Sequence, residues 1–164
     1  MRILGIDPSL TSSGWVLLVN GKIKDFGLVK TNTDTEKRFL YIYQEFDKII
    51  KKHKPDEIHV ETPFFGTNAQ SSLSLAYVRG ALLVLCESLD VPIISFAPQE
   101  IKKSFTGSGK SNKDELAKAI AEKYKNDKKI KEIGPFSDKN NKNKTSDIYD
   151  AVAAASCEKC EKKE

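Results

Sequence analysis

The sequence predicts an α/β fold: a five-stranded mixed sheet, an antiparallel meander plus two parallel strands, flanked by helices on both faces. Three observations carry this. Residues 2–30 read strand, turn, strand, turn, strand, and Asn20-Gly21 between two β-rich runs is the strongest hairpin signal in the chain. Two further short apolar runs, ending at Glu61 and Phe96, each follow a helical pattern, as crossover-connected strands do. The order β-β-β-α-β-α-β-α-α shows no internal repeat. The chain's 164 residues, 39% of them hydrophobic, are enough for one domain with a real core and too few for two comfortable ones.

The elements follow in order. Residues 2–7 are an apolar run closing on Asp7, a buried strand, and 8–14 read as a turn. Residues 15–19 and 22–30 complete the meander. Thr33-Asp34-Thr35 can cap a helix to about His53, with Phe39, Ile42, Tyr43, Phe46, Ile49 and Ile50 at the helical period, and Pro55 stops it. A strand then closes on Glu61, and 62–70 form a loop. Residues 71–89 form a helix that is apolar almost all round, so it is buried on more than one side, under other elements or in a subunit interface. Gly80 in its middle would permit close helix approach. Residues 92–96 make the last strand, Pro98 opens a short helix to about Phe105, and a Gly/Ser loop leads to a surface helix over 113–125. Residues 126–145, rich in Lys and Asn, are expected as a mobile loop. The last helix begins near Ser146.

Four carboxylates stand at the ends of these elements: Asp7, Glu61, and the pair Asp147 and Asp150 at the start of the last helix. Ligands of open α/β sheets gather beyond the carboxyl ends of strands, where Asp7 and Glu61 sit. The three-residue spacing puts Asp147 and Asp150 on one helical face. Clustered carboxylates repel one another unless something positive binds between them. Oxygen donors without a Cys/His set suit a hard divalent cation such as Mg²⁺, and such sites serve phosphodiester hydrolysis. The bland alternative is that Asp7-Pro8 initiates a turn and Asp147 answers a helix dipole. Convergence of all four at one place weighs against it.

The net charge is +4, with 27 Lys and Arg against 23 Asp and Glu. Only Arg2, Arg38 and Arg79 are arginines, and lysine recognises phosphate as a point charge, which favours backbone binding over base reading. The lysines concentrate at 102–113 and 123–144. Cys86 in its apolar helix reads as a buried small hydrophobe. Cys157 and Cys160 form a single CxxC without the second pair that a zinc site needs. No apolar run of transmembrane length and no leader pattern stand out, so a cytoplasmic protein is expected.

Ile3-Leu-Gly-Ile-Asp-Pro-Ser9, Val60-Glu61, Asn68 to Gly80 and Asp147-Ile-Tyr-Asp-Ala-Val-Ala153 resemble the RuvC-type Holliday junction resolvases, in the same order and spacing over nearly the whole chain. The resemblance implies an RNase H-like nuclease domain over 1–164, working as a homodimer on four-way DNA junctions with Mg²⁺, two per subunit, or Mn²⁺. It places the acidic tetrad on Asp7, Glu61, Asp147 and Asp150, and two functional lysines on Lys102 and Lys113. Lys113 would stabilise charge on the reacting phosphate, and Lys102 would bind phosphate. Lys110, between them, joins the DNA-binding candidates, although a solvated side chain is its plainer role. Phe64 falls where the family has an aromatic that contacts junction bases, and an exposed ring there can stack on or wedge a base step. The alternative is that Phe64 or Phe65 packs under its loop. The helix over 71–89 would supply the dimer interface, and a two-fold enzyme suits a roughly two-fold substrate. A branch-migration helicase is a further expected partner.

Two other functions fit less of the chain. A branched-DNA endonuclease of phage or mobile-element type, with loose junction specificity, would keep the site and differ in substrate, and the unassigned 126–145 segment leaves room for it. A catalytically silent junction-binding module would not need four acids that repel DNA. An actin-like ATPase shares the strand-Gly-Ile-Asp opening, but the chain is too short for two lobes.

Overall fold

The computed structural model describes residues 1–32, 35–62, 69–136 and 145–158. Five strands, β1 (Arg2–Asp7), β2 (Ser12–Val19), β3 (Lys22–Lys30), β4 (Glu57–Glu61) and β5 (Ile93–Phe96), form one sheet in the order β3-β2-β1-β4-β5. The β1/β2 and β2/β3 pairs are antiparallel, and β1/β4 and β4/β5 are parallel, as the sequence predicts. Asn20 and Gly21 both take positive φ, 50° and 75°, the sign that a two-residue I′ hairpin demands. The register slips between Leu17 and Leu18, leaving Lys24 as the extra residue of a bulge on the edge strand.

Side chains alternate across β1 and divide the core in two. Leu4 and Ile6 face α1 (Thr35–His53) and α2 (Ala69–Ser88), where they meet Phe46, Ile42 and Leu82. On the other face, Val16 of β2 joins Ile101 of α3 (Pro98–Thr106), Ile120 of α4 (Lys113–Lys123) and Val152 of α6 (Thr145–Ala155). Helix α6 lies directly on β1 and β2. A Cβ at Gly14 would overlap the Asp147 carbonyl, and one at Gly5 would come within 2.6 Å of the Ala155 Cβ. These two glycines let the helix backbone rest on the strands, and its Ala151 to Ala155 are all buried.

The structure departs from the sequence reading in three places. The 8–14 turn is shorter than expected, because β2 already begins at Ser12, paired with Lys30. Within the supposed 126–145 loop, Lys128–Ile133 form a helix, α5. Asp127 caps it, and Ile130 and Ile133, three apart, are both buried. The surrounding lysines hide this spacing in the composition. Residues 137–144 lie outside the described residues. Helix α2 begins at Ala69, inside the expected 62–70 loop. Among the described residues, a Cβ at Gly80 would meet no heavy atom within 4 Å outside its own helix backbone. Among the described residues, no helix is long and apolar enough to cross a membrane.

Candidate active site

Adjacency of β1 and β4 sets the first two acids. Ile6 pairs with Val60, so Asp7 and Glu61, one residue further on, leave the sheet side by side. Because α6 starts over Gly14, its first turns bring Asp147 and Asp150 to the same end of the sheet. The Ser12 hydroxyl donates to Asp147 Oδ2 at 2.7 Å, and the Ser146 hydroxyl to Oδ1 at 3.3 Å. Lys113, the first residue of α4, places Nζ 3.5 Å from Asp150 Oδ2.

The charges of the four acids act on one another. The Asp7 carboxyl is held well above the usual aspartate range, first by burial, then by the charges of Asp150, Asp147 and Glu61, with Lys113 opposing. Glu61 is also raised, by burial and then by Asp150, against the pull of Lys113 and Lys102. Lys102, half-buried on α3, therefore bears on the site, while Lys110 is exposed in the α3–α4 turn. Phe64 and Phe65 lie outside the described residues, as does Cys160. Cys86 is buried, and burial pushes its thiol up to about 11, as suits a core residue rather than a reactive one.

The donors fit a hard cation chemically: all are carboxylates, and those of Asp7 and Glu61 are raised by burial and by the neighbouring acids, a crowding that a cation would relieve. They are not closed around one. Among the described residues, no group of three or more His, Cys, Asp or Glu side chains is gathered as a metal-binding set. Ser12 engages Asp147 and Lys113 engages Asp150, so a bound cation would compete with those two contacts.

Sequence reasoning missed two residues. Ser12 is one: it reads as part of the 8–14 turn, and the sequence offers no local signal for its contact with Asp147. Arg79 is the other. From α2 it donates to the Glu61 backbone carbonyl at 3.0 Å and to the Ser95 hydroxyl, tying β4 and β5 together at the site.

The family model described as crossover junction endodeoxyribonuclease RuvC matches residues 3–158. The chain belongs to the RuvC family. Crossover junction endodeoxyribonuclease RuvC of Chloroherpeton thalassium is 32% identical over 123 residues, 71% of this chain and 66% of that one. The Rickettsia akari protein of the same name is 36% identical over 126 residues, 73% of this chain and 80% of the relative. Among solved structures, T. thermophilus RuvC in complex with Holliday junction substrate superposes with a TM-score of 0.76 at 22% identity, covering 94% of this chain and 90% of that one. The yeast mitochondrial Holliday junction resolvase Ydc2 gives 0.62 at 14% identity, covering 94% and 77%. The sheet order and these superpositions establish the RNase H-like fold of the RuvC family.

Proposed function

We propose that this chain is a structure-selective DNA endonuclease that resolves four-way (Holliday) junctions by symmetric paired nicks. The observation that carries this is the convergence of Asp7, Glu61, Asp147 and Asp150 in a chain whose family match runs from residue 3 to 158. The four acids would hold Mg²⁺, two ions per subunit, with Mn²⁺ as a substitute. Bound there, such ions supply an activated water and neutralise the leaving oxygen. Lys113 sets an ammonium beside the acids, where it can meet the charge that grows on the reacting phosphate. Lys102 adds phosphate affinity from α3, Lys110 from the turn, and Phe64 contacts junction bases. Lys113→Ala is expected to lower the single-turnover nicking rate about 100-fold or more while junction binding in EDTA changes little. Equal losses in both would make Lys113 a binding residue only.

The deciding experiment is a substrate panel of four-way junction, three-way junction and linear duplex in Mg²⁺, with cut sites mapped. Paired cuts at symmetric positions of the four-way junction are expected. Equal cutting of all three substrates would favour the looser branched-DNA endonuclease, and binding without cutting in either Mg²⁺ or Mn²⁺ would favour the silent module.

The homodimer is part of the proposal. Helix α2 exposes Leu73, Tyr77, Leu83 and Val84, the last 65% exposed, and Leu40 and Tyr41 of α1 are exposed as well. An apolar face of this kind on an otherwise charged surface is what a subunit interface covers. Val84→Glu is expected to weaken self-association about 100-fold by light scattering and to uncouple the two nicks. A variant that stays dimeric would move the interface elsewhere. A cytoplasmic setting and a branch-migration helicase partner complete the proposal and rest on the family resemblance alone.

A further inference from the structure

At the opposite end of the sheet from the acids, two cavities adjoin, each of about 610 Å³. The first opens beside the starts of β1 and β4. Its apolar lining includes Ile3, Leu18, Ile94 and Phe96, with His59 set against Glu57 on one side and Glu158 at the rim. The second is walled by Lys22, Lys24, Lys123 and Lys128. Gly21, Lys123 and Tyr124 border both.

The charge in the second cavity is unbalanced. Elsewhere Lys48, Lys51, Lys125 and Lys129 each sit on an acid three or four residues away. Lys22, Lys24 and Lys128 form no ion pair with any described residue, and Lys123 lies over the Phe105 ring, 4.9 Å from its centroid. The one acid in the lining, Asp127, is engaged: its two oxygens accept the backbone N–H groups of Ile23 and Lys129, each at 2.9 Å.

We propose that this paired cavity docks a partner protein through a short acidic segment carrying one large apolar side chain. The lysine cavity takes the carboxylates, and the apolar cavity takes the anchor. A volume of about 610 Å³ lies in the range of built ligand sites and exceeds what one aromatic ring needs. A nucleic-acid backbone would use the lysines and leave the apolar half unfilled, so the pairing favours a peptide. The site is distinct from the acids: β1 runs from Ile3 in the cavity wall to Asp7, and β4 from Glu57 to Glu61, and of the lining named above Phe96, the register partner of Glu61, reaches toward that end. The proposal therefore stands or falls independently of the nuclease reading.

The test is fluorescence anisotropy on the full chain with a labelled peptide of four aspartates followed by Leu-Phe. Binding is expected to weaken about 10- to 100-fold when Leu-Phe becomes Gly-Gly, because the anchor loses its burial. It is expected to weaken at least about tenfold in the surface double variant Lys22→Glu, Lys128→Glu, and to fall with salt. Nicking of a short-armed junction by that variant should match the wild type. Equal affinity for the Leu-Phe and Gly-Gly peptides would overturn the proposal, as would indifference to the charge reversal. Displacement of the peptide by an oligo-dT strand at equal concentration would give the cavity to nucleic acid. Affinity that rises as the protein is diluted would give it to a second copy of the chain.

Discussion

Asp7→Asn is expected to abolish nicking and, in EDTA, to make the protein more heat-stable. Both effects come from the same crowding. In the folded chain, burial and the charges of Asp150, Asp147 and Glu61 raise the Asp7 carboxyl, so ionising it costs more folded than unfolded. A group whose folded pKa is raised lends stability that is fully present below its unfolded value, near pH 4, and is lost as pH rises through the folded value. At pH 7.5, well above the unfolded value, the wild type bears the cost of keeping that group buried among like charges, and asparagine removes it. A gain on the order of 1 kcal/mol is expected, which for a chain of this size raises Tm by about 2–4 °C. Near pH 4 the difference should shrink. Mg²⁺ or Mn²⁺ should raise the wild-type Tm and barely move the variant's, since a ligand stabilises only the state that binds it. Nicking should fall about a thousandfold or more, because a carboxylate donor is lost where cation charge is needed. Thermal scans at two pH values, with EDTA and with metal, read all of this. A variant less stable than wild type in EDTA at pH 7.5 would mean that Asp7 is not under the strain described. One that nicks at the wild-type rate would remove it from the chemistry.

What the sequence made legible was whatever a short-range pattern records. Strand alternation with a polar stop put Asp7 and Glu61 at strand ends, Asn20-Gly21 fixed the meander, and a three-residue spacing put Asp147 and Asp150 on one face. The match to the family then paired distant segments that no local pattern could. What stayed hidden depends on the third dimension. Ser12 reads as a turn residue until β2 sets it under Asp147, 135 residues later in the chain. Arg79 reads as a charge on an apolar helix until the helix lies across the ends of β4 and β5. Helix α5 was masked by composition: four of the residues from Lys128 to Glu132 are charged, and only the two buried isoleucines reveal its inner face. The apolar circumference of α2 is ambiguous in the sequence because it serves two sides: Val78, Leu82 and Leu85 belong to the core, while Tyr77 and Val84 are exposed on the face that the proposed dimer would cover.

Gly14→Ala, one added methyl, is expected to cost more stability than any other substitution considered. Its Cβ would overlap the Asp147 carbonyl and come within 2.9 Å of the Ile148 nitrogen. These neighbours are helix backbone, which cannot swing aside as a lysine tip can. The first turn of α6 has to lift. It cannot lift by sliding along the sheet, because Gly5 holds the other end of the helix, with Ala151 and Ala155 in contact with β1. Nor can it tilt freely, because Ile148, Val152 and Ala154 are in the core beneath it. A cost of about 2–4 kcal/mol follows, or a Tm lowered by roughly 5–15 °C. Lifting that turn also carries Asp147 away from Ser12 and from the other acids. Cation affinity, read by Mn²⁺ titration on the fraction that remains folded, should therefore drop together with stability. Gly80→Ala is the control. It adds the same methyl inside a helix where, among the described residues, nothing outside the helix's own backbone lies within 4 Å, and helix propensity alone favours alanine there by up to about 1 kcal/mol. If Gly14→Ala melted within a degree of wild type, α6 would not rest on β2 as described. If it lost stability but kept full Mn²⁺ affinity, the position of Asp147 would not depend on that contact, and the acids would be held together by something other than the strand beneath them.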